Sequence, residues 1–368
     1  MNKIFIETIN APDTIKAQLK VLSKDILFNR EITKGGNGYI FFGQNNILNT
    51  AVAVKFYYWG GNHAYHVEPK TLAAVKSPNI LSVQNAGLTD GSWAYFVTTH
   101  CIDGDLDDLI EKTDFGNIKA IDRTSQILIG VGALHESRFL HRDLKPANIY
   151  IGETGQSVIG DFGSIQFMPN GRTTIPASGH AVLYRPPESV VTNSYGFEGD
   201  IYQCGIILYQ LLGGFLPYDG MSWLNKAETQ AHDAISNGTD RSIYIDDCIK
   251  SKITNGKIIN MSSLPPWVPD VLKRTIRKAT HIDPAKRFQN ASAFHVHLNN
   301  IRATVPNWEI REGVPHLHGK NSYRILEDKD GNRYVEKSKD QVRWRRDNYF
   351  DKQSMAELVE QINQKAQH

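Results

Sequence analysis

A chain of 368 residues, at roughly 150 residues per domain, has room for two domains or for one large two-lobed domain with an extension. Hydrophobic residues make up 40% and charged residues 22%, a balance that excludes wholesale disorder, collagen-like structure and a polytopic membrane protein. Lys+Arg 41 against Asp+Glu 39 leaves a net charge of +2, so no overall positive field demands nucleic acid as a partner.

Residues 1–25 read as a leader with a short amphipathic helix over 14–22. One lysine and a run of three apolar residues, Ile4 to Ile6, precede Glu7, which is no signal-peptide core. From 26 to 100 the texture is strand-like, with apolar runs such as Ala51-Val-Ala-Val-Lys55 separated by Gly/Asn turns. One helix, over 66–76, interrupts them and stops at Ser77-Pro78. From about 105 to 300 the texture turns helical. The order predicts an α+β protein, with a small β-rich lobe over 26–100 and a larger α-helical lobe over 101–304.

The most apolar stretch, 201–216, is broken by Gln203, Gln210 and glycines, and so reads as a buried helix rather than a membrane span. Cys101, Cys204 and Cys248 are odd in number and far apart, which suits a reducing compartment; the expectation is a soluble, cytoplasmic protein. Residues 305–368 differ in character. Alternating segments flank Asp330-Gly-Asn332, predicting a hairpin, and 355–366 reads as an amphipathic helix. The α+β body thus carries a small C-terminal α/β extension. Its basic stretch from Lys337 to Arg346 is a weak nucleic-acid candidate; the preferred reading is an edge strand with Val342 and Trp344 inward. The pairs His316/His318 and His295/His297 lack a third ligand and are set aside as metal sites.

The chemistry concentrates in His141-Arg-Asp-Leu-Lys-Pro-Ala-Asn148, followed eighteen residues after Asp143 by Asp161-Phe-Gly163. The segments resemble the catalytic and metal loops of the eukaryotic-type (Hanks-type) Ser/Thr protein kinase family. The resemblance implies a bilobal kinase fold over 26–304 that transfers the γ-phosphoryl group of Mg²⁺·ATP to a protein hydroxyl. By it, Asp143 would accept the hydroxyl proton, Lys145 would hold the γ-phosphate, and Asn148 and Asp161 would bind Mg²⁺.

Upstream, Val52-Ala53-Val-Lys55 resembles the family's nucleotide strand, with Lys55 paired to Glu68. The segment Thr33-Lys-Gly-Gly-Asn-Gly-Tyr-Ile40 fits its glycine loop at Gly35, Gly38 and Ile40 but carries Thr33 where the first glycine belongs. By the same resemblance Thr98 is the gatekeeper, Thr99 to Cys101 form the hinge, and Asp105 meets the ribose. The acids around Asp105, from Asp103 to Glu111, are read as a solvated helix start. Downstream, Tyr184-Arg-Pro-Pro-Glu188, Asp200 and Arg287 resemble the family's structural anchors, with Arg287 paired to Glu188.

Candidate autophosphorylation sites are Thr173, Thr174 and Ser178, with Arg142 as the phosphate receiver. One departure is His180-Ala181, where the family has Gly-Thr. Two other readings stand beside the kinase: an ATP-binding pseudokinase scaffold acting through the extension, and a kinase of small molecules or nucleic acid. Substrate, activating signal and oligomeric state are not encoded legibly.

Overall fold

The computed structural model describes residues 4–33, 38–113, 115–177, 182–351 and 354–366. Helix α1 (Asp13–Leu22) opens with an acid in its first turn, favourable at the positive end of the helix dipole. Its stripe, Ile15 and Leu19, is fully buried. Strands β1 (Ile26–Thr33), β2 (Tyr39–Asn45) and β3 (Thr50–Tyr58) follow, then a short 3₁₀ turn (His63–His66) and α2 (Val67–Ala74). β4 (Val83–Leu88) and β5 (Trp93–Thr99) complete an antiparallel sheet ordered β1-β2-β3-β5-β4.

Alternation along β3 sets the two faces of this sheet. Val52, Val54 and Phe56 point to one side, where they pack with Phe28, Phe41, Ile15 and Leu19. Ala53, Lys55 and Tyr57 take the other side, toward α2 and the interlobe cleft. The segment read as a leader is therefore a structural layer of the small lobe.

The large lobe begins with α3 (Leu106–Lys112), capped by the Asp105 carboxylate, and α4 (Asn117–Glu136). Short strands then shape its loops: β6 (Phe139–Leu140), β7 (Ile149–Ile151), β8 (Ser157–Ile159), β9 (Gln166–Phe167) and β10 (Ile175–Pro176). α5 (Pro187–Val191), β11 (Ser194–Tyr195) and α6 (Phe197–Leu211) follow. α7 (Lys226–Asp233), α8 (Gly238–Thr254), α9 (Asp270–Ala279) and α10 (Ala291–Arg302) close the lobe. α6 is buried on nearly every side, as an all-round apolar helix must be. Among the described residues no helix is long and apolar enough to cross a membrane.

The extension holds more than the hairpin and helix expected. Strands β12 (Asn307–Arg311), β13 (Val314–His318), β14 (Ser322–Glu327), β15 (Arg333–Ser338) and β16 (Arg345–Asp351) form a five-stranded antiparallel sheet in sequence order. α11 (Met355–Ala366) covers one face, burying Leu358, Val359 and Ile362 against Trp308, Tyr323 and Phe350. Trp308 also stacks near Trp267 at 6.4 Å. Asn117 donates to the Trp267 and Pro306 carbonyls at 2.9 and 3.0 Å, fastening the sheet to the start of α4.

The edge-strand reading of the basic stretch needs correction at Val342, which is 80% exposed. Asp340 accepts the Val342 and Arg343 amides at 2.9 and 2.8 Å, and this turn takes the backbone bonds a strand would have used. Only Trp344 turns in, edge-on to His316 with the Arg324 guanidinium 4.6 Å over its ring. Among the described residues no group of three or more His, Cys, Asp or Glu could hold a metal ion.

Because Leu19 is 1% exposed within the small-lobe core, Leu19→Ala is expected to cost about 2–5 kcal/mol. A urea titration of the full chain measures it; a change under about 0.5 kcal/mol would mean that α1 is no part of that core.

Candidate active site

A cleft of about 580 Å³ lies between the lobes and gathers Ile40, Ala53, Lys55, Glu68, Thr98, Thr99, Cys101, Asp105 and Asp161 around it. Lys55 reaches across from β3 to both Glu68 oxygens, at 2.8 and 2.9 Å, and lies 3.6 Å from Asp161 Oδ1. Burial works against the ammonium, but Glu68 and Asp161 outweigh it and hold Lys55 above the usual lysine range. Gly38 has φ +99°, and a Cβ there would sit 1.9 Å from the Phe56 carbonyl oxygen, so only glycine lets the chain run this close to β3. Gly35 lies outside the described residues, as does most of the loop before Gly38.

Asp143 sits at the foot of the cleft, 6% exposed. Asn148 Nδ2 donates to its carbonyl at 2.7 Å and to Oδ2 at 3.1 Å, and Lys145 Nζ donates to Oδ2 at 2.9 Å. With its amide nitrogen so engaged, Asn148 keeps its amide oxygen as a metal donor. Asp161 stands in the left-handed region at φ +50°, and the following Phe162 is fully buried, edge-on to His141 with centroids 5.2 Å apart. The two ring planes cross at 61°. His141 Nε2 donates to the Gly160 carbonyl at 3.0 Å, which leaves Nδ1 to accept the Asp143 amide at 3.4 Å.

Asp200, wholly buried on α6, supports this loop from below. Its carboxylate accepts the His141 and Arg142 amides at 3.0 and 2.9 Å, the Tyr195 hydroxyl at 2.8 Å and His135 Nε2 at 2.8 Å. Burial alone would raise its pKa; the His135 hydrogen bond and charge, with His141 and the Arg142 amide, hold it below the usual carboxylate range. Arg142 itself has φ +68° and donates to the Ser164 and Pro176 carbonyls at 2.9 and 3.1 Å. Thr173 and Thr174 are exposed just before β10, while Ser178, His180 and Ala181 lie outside the described residues.

Arg287, 2% exposed, grips both Glu188 oxygens at 2.8 and 2.7 Å and also donates to the His281 and Glu198 carbonyls. Asp105 Oδ1 is occupied with the Asp107 and Asp108 amides at 3.0 Å, as helix-start geometry requires. The Cys101 thiol is pushed up to about 11, by burial first and then by Glu153 and Asp103.

Two contributors, Gln203 and Tyr150, were not singled out from the sequence. Gln203 Oε1 accepts the Leu144 amide at 2.9 Å and the Tyr195 hydroxyl at 3.1 Å, while Nε2 donates to the Arg142 and Tyr184 carbonyls. Tyr150 lines the cleft, its ring filling the space beside Gly160, where a Cβ would lie 2.2 Å from Cε2. His100, within the Thr99–Cys101 hinge, meets Arg30 at 3.2 Å and the Phe42 ring at 4.3 Å; burial and Arg30 push it down to about 4. A glutamine inside an apolar helix was the one legible cue among these.

With this geometry established, the chain compares with known proteins as follows. The family model described as "Protein kinase domain" matches residues 27–298. The serine/threonine-protein kinase PrkC of Bacillus subtilis is 27% identical over 273 residues, covering 71% of this chain and 38% of the relative. A probable serine/threonine-protein kinase PknB of Lactococcus lactis is 26% identical over 269 residues, covering 70% and 39%. The mouse serine/threonine-protein kinase Nek3 is 31% identical over 161 residues, covering 43% and 31%. The chain therefore spans about two fifths or less of the length of these curated relatives.

Breaking the Arg287 clasp leaves Glu188 with no partner in a half-buried place, so Arg287→Ala is expected to destabilise the chain by about 3–5 kcal/mol. Chemical denaturation followed by tryptophan fluorescence reads it, and a loss below about 1 kcal/mol would assign the pair no structural weight.

Proposed function

The chain belongs to the protein kinase family, and from that premise we propose that it is an active serine/threonine protein kinase acting on a protein hydroxyl. The carrying observation is one cleft that brings together the Lys55–Glu68 pair, Asp143, Asn148 and Asp161. Family membership entails ATP as phosphoryl donor and use of a divalent metal. Magnesium is our choice of metal, since the Asp161 carboxylate and the free oxygen of Asn148 are hard donors. Bound there, the ion would neutralise phosphate charge.

In this reading Lys55, steadied by Glu68, holds the α- and β-phosphates. Asp143 takes the proton from the acceptor hydroxyl, and Lys145, 2.9 Å from it, faces the γ-phosphate. Gly38 and Ile40 roof the phosphates and base, Ala53 and the Thr99–Cys101 backbone receive the adenine, and Asp105 meets the ribose. A protein acceptor is supported by an apolar hollow of about 240 Å³ beside Lys145, lined by Val182, Leu183, Tyr184 and Tyr218. Free Cys101, Cys204 and Cys248 favour a reducing, cytoplasmic setting.

With labelled ATP and a generic protein substrate, Asp143→Ala and Lys55→Met should each lower turnover by about 10²–10⁴-fold. Variants that match the wild type would sink this assignment of roles.

Autophosphorylation at Thr173, Thr174 or Ser178 is part of the proposal, because the first two are exposed and the segment is already tied to Arg142. Mass spectrometry after incubation with Mg²⁺·ATP should find phosphate within residues 173–178. A clean segment from a turnover-competent preparation would remove the idea.

A further inference from the structure

Lys55–Glu68 is not the only polar tie between β3 and α2. Two residues beyond Lys55, on the same face of β3, Tyr57 donates its hydroxyl to His66 Nδ1 at 2.6 Å. His66 is the residue that precedes the first turn of α2, two positions before Glu68. Tyr57 remains protonated at neutral pH, pushed up to about 12 by burial and then by Glu68. Burial, His63 and Lys70 hold His66 below the usual histidine range, so the imidazole is a neutral acceptor.

The surroundings fix both rings. Tyr57 packs against Phe96 at 6.0 Å and meets the His66 ring edge-on at 5.8 Å. Trp59, on the connection from β3 to α2, lies over His66 at 5.0 Å and His63 at 5.4 Å. The connection folds back on itself, and Asn62 accepts the Ala64 amide to hold its turn. α2 itself is only eight residues, and no side chain caps its N-terminus. A two-turn helix of this kind has little stability of its own and takes its position from tertiary contacts.

We infer that Tyr57 and His66 are positioning residues: their hydrogen bond is a second clasp that seats the start of α2 on β3 and thereby keeps Glu68 within reach of Lys55. The two ties lie two residues apart at the start of α2. Loss of the Tyr57–His66 bond leaves Glu68 as the polar tie between α2 and β3, and the first turn of α2 frays. The inference deepens the kinase reading only where it predicts turnover; the placement of α2 can be measured without any reaction.

The test uses the full chain and two readouts. Hydrogen exchange of the α2 amides should quicken about 3- to 10-fold in Tyr57→Phe, the scale of one net hydrogen bond, with exchange in α6 unchanged. Turnover at saturating Mg²⁺·ATP should fall by a similar factor, and the same substitution should add nothing in a Glu68→Gln background, because both act through one contact. His66→Asn, which retains an acceptor at the δ position, should stay nearer to wild type than His66→Leu. Unchanged α2 exchange in Tyr57→Phe overturns the clasp, as do additive effects in the double variant. A wild type without turnover would refute the kinase reading instead, with the exchange arm still deciding the clasp.

Discussion

Everything in the catalytic loop hangs on the carboxylate of Asp200. A charge fully removed from water costs several kcal/mol unless its oxygens are satisfied, and here four donors converge on it from His135, His141, Arg142 and Tyr195. Two of these are the consecutive backbone amides of His141 and Arg142, and the chain leaves them toward Asp143 through Arg142 at φ +68°. Such a conformation costs about 1–3 kcal/mol in a non-glycine residue and persists only when the surroundings over-determine it. The next residue is Asp143. Its direction into the cleft is therefore set by α6, and Asn148 and Lys145 are organised on Asp143 in turn. Gln203, just under one turn further along α6, extends the platform by taking the Leu144 amide and the Tyr184 carbonyl.

What was legible in the sequence follows from how narrowly chemistry restricts residues. Lys55, Asp143, Asn148 and Asp161 stand out because phosphoryl transfer tolerates few side chains there, and their spacings are fixed by short loops. Gln203 carried no such mark. In a helix of apolar residues it reads as an interruption, while its partners Arg142 and Leu144 lie about sixty positions earlier in the chain. Tyr150 was hidden for another reason, since the cleft wall selects for shape and many residue types can supply it. The helix read over 66–76 is shorter in the fold, because a 3₁₀ turn precedes Val67 and Val75 is already extended before Pro78.

The ends of the chain show the limit of pattern reading. The amphipathic stripe of α1 announced a buried face without saying what buries it; the answer, the back of the small-lobe sheet, is a tertiary fact. In the extension only the hairpin around Gly331 was visible, because Asp-Gly-Asn is a strong turn sequence. The β12–β13 turn uses Glu312-Gly313, with both residues at positive φ. Glycine supplies the second position freely, but glutamate is an uncommon choice for the first, so the turn passed unnoticed. Trp308 then joins the two bodies, stacking near Trp267 while its indole donates to Asn363 of α11 at 2.9 Å.

These contacts distribute rigidity unevenly. Below the cleft, Asp200 and Arg287 are each satisfied several times over, and their elements pack in one continuous apolar core with α4, α6 and α9. Removing one bond there leaves others to hold the geometry. Above the cleft, α2 is two turns long and carries Glu68 on a helix whose apolar burial is confined to Pro69, Thr71 and Leu72. Its position is a balance of few terms, each worth about 1 kcal/mol. A free-energy change that would pass unnoticed in the large lobe shifts this balance several-fold. The residue most exposed to such a shift is Lys55, whose ammonium is stable in its buried place only while Glu68 and Asp161 face it.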